Sequence, residues 1–142
     1  METQELHRGR LIDHVQLVVR DLPASRKFYE AIFKSLSIPI GGSGDEYFWA
    51  DELCISNAGW EGARGELTGR HHLALQADSR AVVDAFYKTA LANGGKDNGA
   101  PGERPYHPGY YAAFVLDPDG NNIEAVYHGE AKRNARSVKI TF

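Results

Sequence analysis

The sequence predicts an α+β fold built from two tandem copies of one strand-then-helix unit, with the helices on one side of the sheet. Three observations carry this. The chain repeats itself at an offset of 58 residues: Ile12-Asp13-His14-Val15-Gln16-Leu17 aligns with Arg70-His71-His72-Leu73-Ala74-Leu75, which places His72 on His14. Without a gap, Phe28-Tyr29 then falls on Phe86-Tyr87. Each copy also passes from a β-rich run to apolar residues at helical spacing, and Asp117-Pro118-Asp119-Gly120 marks a tight turn between two β-rich runs. At 142 residues the chain is one domain's worth, or two small modules sharing a core.

Taken in order, residues 1–10 form a polar extension expected to be loosely held. The first module spans 11–58. Leu11 to Val19 reads as a strand ending at Arg20-Asp21, with Asp21 a plausible helix N-cap and Pro23 acceptable in the first turn. Leu22 to Leu36 places Phe28, Ala31, Ile32 and Leu36 at helical spacing, and Pro39 with a glycine cluster then ends the helix. Short strands suit Glu46–Ala50 and Leu53–Asn57. The glycine-rich stretch 59–69 is the expected linker.

The second module, 70–128, runs the same way. His71 to Ala77 is a strand, Ser79 is the N-cap equivalent to Asp21, and the helix from Arg80 stops at Gly94-Gly95. Lys96 to Gly109 holds three prolines and reads as mostly loop. Tyr110 to Leu116 and Asn121 to His128 are strands joined by the Asp117–Gly120 turn. The tail, 129–142, ends in the alternating Ser137-Val138-Lys139-Ile140-Thr141-Phe142, either an added edge strand at a dimer interface or a weakly ordered terminus.

Strand alternation assigns faces. Val15, Leu17 and Val19 oppose His14, Gln16 and Val18, while Leu73, Leu75 and Ala77 oppose His72, Ala74 and Gln76. On the last strand Asn122, Glu124, Val126 and His128 share one face. The apolar faces take the helices, leaving two imidazoles, a carboxylate and several amides on a surface suited to ligand chemistry and poor as core. Two neutral imidazoles and a carboxylate form a facial metal-binding set with positions left open for a bidentate ligand. Structural histidines and a solvated strand carboxylate are the plainer reading of the same residues.

Bulk properties narrow the classes. A net charge of −3 and a pI near 6.0 argue against a general nucleic-acid binder. No apolar run approaches the roughly 20 residues needed to span a bilayer. The single cysteine, Cys54, excludes an intrachain disulfide and points to a reducing cytoplasm as the expected compartment.

With Ile12-Asp13-His14-Val15, Asp21-Leu22-Pro23-Ala24-Ser25 leading to Phe28-Tyr29, His72-Leu73-Ala74-Leu75, and Leu116-Asp117-Pro118-Asp119-Gly120-Asn121-Asn122-Ile123-Glu124, the chain resembles the vicinal oxygen chelate superfamily. That group includes glyoxalase I, bleomycin-resistance proteins and extradiol dioxygenases. The resemblance implies two βαβββ modules forming a curled mixed sheet around a metal-lined cavity, with helices outside. It implies a divalent metal, Fe2+, Mn2+, Ni2+, Co2+ or Zn2+, held by His14, His72 and Glu124, and a homodimer as the expected assembly. His107 lies in the family position of an acid/base residue, or is simply an exposed loop histidine.

Two departures matter. Aligning the last strand of the first module sets Cys54 opposite Glu124, so the carboxylate that glyoxalase I uses as a fourth ligand is missing, with Glu52 close by. Phe114 stands where the ring-cleaving dioxygenases have a tyrosine, and it cannot donate that hydrogen bond. Of the nearby tyrosines, strand parity puts only Tyr110 on the face of Phe114. The expected function is a metal-dependent enzyme acting on a small oxygenated or aromatic molecule, by lyase, isomerase or dioxygenase chemistry. The alternative is a ligand-sequestering protein similar to bleomycin-resistance proteins.

Overall fold

A computed structural model describes residues 5–9, 12–60 and 71–141. The first module contains β2 (Val15–Val19), α1 (Leu22–Ser35), β3 (Gly42–Ser43), β4 (Tyr47–Ala50) and β5 (Leu53–Asn57), preceded by β1 (Glu5–Arg8). The second contains β6 (His72–Gln76), α2 (Arg80–Ala92), β7 (Lys96–Glu103), β8 (Tyr111–Leu116) and β9 (Asn122–Tyr127), followed by β10 (Val138–Thr141). Each module is therefore βαβββ. The two sheets are four-stranded and share one order, β2-β5-β4-β3 and β6-β9-β8-β7. In both, the first strand runs parallel to the last and the other pairings are antiparallel.

Local sequence explains where the helices begin. The Asp21 carboxylate accepts the backbone N–H of Ala24 at 3.1 Å, and the Ser79 hydroxyl accepts that of Val82 at 3.2 Å. Both helices turn an apolar face onto the sheets. Leu17, Val19, Phe28, Ile32, Phe48, Ile55, Val83, Phe86, Val115 and Ile123 form one continuous core across the two modules. Burying each of the larger side chains contributes roughly 1.5–3 kcal/mol.

Helices α1 and α2 also pack on each other, and the turn after β8 locks that contact. Asp117, 4% exposed, accepts the backbone N–H of Asp119 and of Asn121, the Asn121 amide, and the Tyr29 hydroxyl of α1 at 2.5 Å. Asp119 in turn accepts the backbone N–H and the guanidinium of Arg20. The aspartate-rich turn thus ties the second module to the first. Gly95 closes the same region, where an added Cβ would lie 2.7 Å from the Phe28 ring.

Two elements differ from expectation. Residues 96–103, expected as loop, form β7. Its glycines and Pro101 hide the strand pattern, and they are tolerated because β7 is an edge strand with register shifts around Gly99. Residues 5–8 of the polar extension form β1, antiparallel to β10, so the alternating tail finds its strand partner within the chain. The linker expected at 59–69 falls outside the described residues from position 61 onward. No described helix is long and apolar enough to cross a membrane.

Candidate functional site

The face of the second sheet turned away from α2 gathers the titratable residues. Glu124, on β9, is 2% exposed. One of its oxygens, Oε1, lies 2.8 Å from Nε2 of His72, the first residue of β6. The other, Oε2, accepts a short hydrogen bond from the Tyr110 hydroxyl. Burial, reinforced by this bond to a carboxylate, pushes the Tyr110 phenol up to about 12. Tyr111, the next residue, turns the opposite way and donates to Asp84 of α2 at 2.7 Å. Phe114 is the cross-strand partner of Glu124 and lies edge-on to His72, ring centroids 5.9 Å apart. The tyrosine hydroxyl on this face, that of Tyr110, is committed to Glu124.

Beyond Tyr110 stands a histidine pair. The rings of His107 and His128 stack 5.1 Å apart, with His107 Nε2 2.8 Å from His128 Nδ1. Tyr110 lies edge-on to both. His107 Nδ1 is 2.9 Å from the Pro108 carbonyl, which can only accept, so this nitrogen carries a proton. In the neutral ring Nε2 then accepts from His128 Nδ1–H, leaving Nε2 of His128 as the lone pair of the couple. Two glycines bring the loop here. Gly109 and Gly129 both have left-handed backbones, φ +81° and +72°, and a Cβ on either would come within about 3.2 Å of the other's Cα.

His14 lies elsewhere. It precedes β2, its side chain is 64% exposed, and Nδ1 meets Asp13 at 2.7 Å, a hydrogen bond that holds the Asp13 carboxyl below its ordinary range. Of the expected metal-binding residues, the fold brings His72 and Glu124 together. Among the described residues no three His, Cys, Asp or Glu side chains converge on one point. Cys54 does occupy the first module's counterpart of the Glu124 position, since it pairs with Gln16 as Glu124 pairs with Ala74. Burial raises its thiol, and burial with the neighbouring Asp51 raises Glu52. The pairing of His128 with His107 was not evident from sequence, although strand parity alone sets His128 on the Glu124 face.

The geometry has known counterparts. The model of the Glyoxalase/Bleomycin resistance protein/Dioxygenase superfamily matches residues 11–125. The uncharacterized protein YqjT of Bacillus subtilis (strain 168) is 31% identical over an alignment covering 80% of this chain and 95% of that protein. A glyoxalase/bleomycin resistance protein from Albidiferax ferrireducens T118 is similar in structure, with a TM-score of 0.69 and 30% identity, covering 82% of this chain and 98% of that one. A glyoxalase-related enzyme from Fulvimarina pelagi shares the fold, with a TM-score of 0.68 at 18% identity, covering 92% and 97% of the two chains. The repeated βαβββ modules, the buried Glu124 beside His72 and a match across nearly the whole chain have one reading: this protein belongs to the glyoxalase/bleomycin resistance protein/dioxygenase superfamily.

Proposed function

We propose that the protein is a metal-dependent enzyme of this superfamily, carrying out a lyase or isomerase step on a small oxygenated molecule. The observation that carries the reading is the Glu124–His72 pair. A carboxylate 2% exposed is costly unless matched, and this one meets an imidazole and a phenol on a surface otherwise fit for a ligand. Carboxylate and imidazole are a fitting donor set for a divalent cation of the Fe2+, Mn2+, Ni2+, Co2+ or Zn2+ group. His14 is the third ligand in this proposal.

Its distance from the pair within one copy has a simple resolution. The modules pack on each other through α1 and α2, and among the described residues no strand of one four-stranded sheet pairs with a strand of the other. Strands β2 and β6, which His14 precedes and His72 begins, are the end strands of their sheets. A second copy set against these edges brings its own His14 to His72 and Glu124, and two equivalent sites result. The protein then acts as a homodimer.

When bound, the metal supplies Lewis acidity toward adjacent substrate oxygens. The chain's own residues do the rest. Tyr110 fixes the Glu124 carboxylate by donating to Oε2, and Phe114 walls one side of His72. The His107–His128 couple, its lone pair at Nε2 of His128, would take a proton from the substrate C–H next to the oxygen-bearing carbon and return it to the neighbouring carbon, leaving the couple unchanged over the cycle. Phe114 in place of a hydroxyl-bearing residue disfavours ring cleavage.

Elemental analysis of purified protein tests this. Near-stoichiometric metal is expected, lost in His72→Ala, Glu124→Ala and His14→Ala. Unfolding and refolding an equal mixture of His14→Ala and Glu124→Ala restores about a quarter of the sites, because half the random dimers are mixed and each holds one intact set. No metal in the wild type after reconstitution would sink the enzyme reading and favour a ligand-sequestering protein. No recovery in the mixture would sink the shared site.

A further inference from the structure

We infer that Arg104 is a docking group for a carboxylate on the substrate, so that this site takes a small organic acid rather than a neutral molecule. Arg104 follows β7 directly, and its backbone N–H donates to the Tyr110 carbonyl. Its guanidinium carbon lies 5.3 Å from the centroid of the Phe114 ring, the ring that flanks His72 and pairs across strands with Glu124. The cation is therefore a wall of the same surface that carries the carboxylate and the imidazole.

The guanidinium is held in place yet meets no counter-charge among the described residues. Its Nη2 donates to the Ala100 carbonyl at 2.8 Å and its Nη1 to the Glu103 carbonyl at 3.3 Å, both neutral acceptors. Among the described residues no carboxylate pairs with Arg104, whereas Arg8, Arg20, Arg26, Arg80 and Arg136 each meet one. The nearest candidate in sequence, Glu103, is drawn away to Arg80 at 2.6 Å. Glu124 is already engaged by His72 and Tyr110.

Two glycines of β7 make the berth. A Cβ on Gly102 would stand 3.0 Å from Nη1 of Arg104, and one on Gly99 would stand 3.4 Å from Nη2 and 3.1 Å from the Phe114 ring. A Cβ at Gly102 would press on the guanidinium, and one at Gly99 on the Phe114 ring, each by a few tenths of an ångström. A planar fork of donors, stacked on an aromatic ring and pre-held by two carbonyls, is built for bidentate recognition of a carboxylate. The implied substrate is a compact acid whose other end presents adjacent oxygens to the His72–Glu124 centre. That second half rests on the metal reading above; the docking group does not.

The test is calorimetric titration of the whole protein with malate and with lactate, both manganese-loaded and stripped of metal. Malate has a carboxylate beyond the 2-hydroxy acid end that the two compounds share. Wild type, Arg104→Gln, Arg104→Lys and His72→Ala are compared, with metal content measured separately. The loaded wild type should bind malate about tenfold tighter than lactate, the increment of one well-formed charged pair. Arg104→Gln should remove that preference while leaving lactate binding and metal content unchanged, and Arg104→Lys should recover part of it. Malate binding that Arg104→Gln does not weaken overturns the proposal. Should the protein take up none of manganese, iron, nickel, cobalt or zinc, the metal reading fails separately, and the stripped form decides: Arg104-dependent malate binding upholds the docking group, and its absence overturns it.

Discussion

The phenol of Tyr29, on the first module's helix, donates at 2.5 Å to the buried Asp117 carboxylate of the second module. Asp117 keeps three other donors, so Tyr29→Phe removes one charge-assisted bond without orphaning the acid. The variant should lose about 1.5–3 kcal/mol of stability, read as a lower urea midpoint with secondary structure retained.

The same bond sets a pH response. Burial, then the adjacent Asp117 charge, raises the Tyr29 phenol well above its ordinary value. Above about pH 10 the unfolded chain releases this proton while the folded protein keeps it, so stability falls as pH climbs past that point. Tyr29→Phe should show a shallower alkaline decline. Equal slopes for variant and wild type would remove Tyr29 as the cause.

At the other end of the second sheet, Gly129→Ala forces a left-handed residue against Gly109. A loss of about 1–3 kcal/mol is expected from the strain. The imidazole resonances of His107 and His128 should both move in NMR spectra, since the loop carrying His107 can no longer close on β9. Unchanged resonances would show that the glycine contact does not hold the pair.

Metal binding should be visible as stability. A cation at one hundred times its dissociation constant adds about 2.7 kcal/mol through linkage to the native state. Stripping with a chelator should lower the thermal midpoint of wild type and leave that of Glu124→Ala where it was.

Cys54 offers a simpler check. Half-buried, with its thiol raised by burial, it should be alkylated near neutral pH far more slowly than a free thiol and at full rate once the protein is unfolded.

Much of this was legible in the chain itself. Asp21 and Ser79 cap helices because their side chains suit that position in any helix, and period-two alternation set His72 and Glu124 on one face. Tyr110 and Tyr111 diverge for the same reason. What escaped sequence reasoning was long-range partnership. Tyr29 reads as a packing aromatic until the fold brings it to an aspartate 88 residues away. Strand β7 is masked by its glycines and Pro101, and the closeness of Gly99 and Gly102 to the Arg104 guanidinium appears only in the fold. That His14 stands apart from His72 and Glu124 depends on how the two modules are placed, which no local pattern encodes.

Eight consecutive residues, Asp117 to Glu124, hold the lock between the helices at one end and the carboxylate beside His72 at the other. Folding and chemistry are written into the same short stretch. In a saturation library this stretch should stand out as a dense island of intolerance, and survival and turnover should fail there together. Elsewhere, as along the solvent side of α2, the two phenotypes should come apart. A variant that loses chemistry but keeps its fold will be easiest to find at Glu124 itself, where the lock is already behind it.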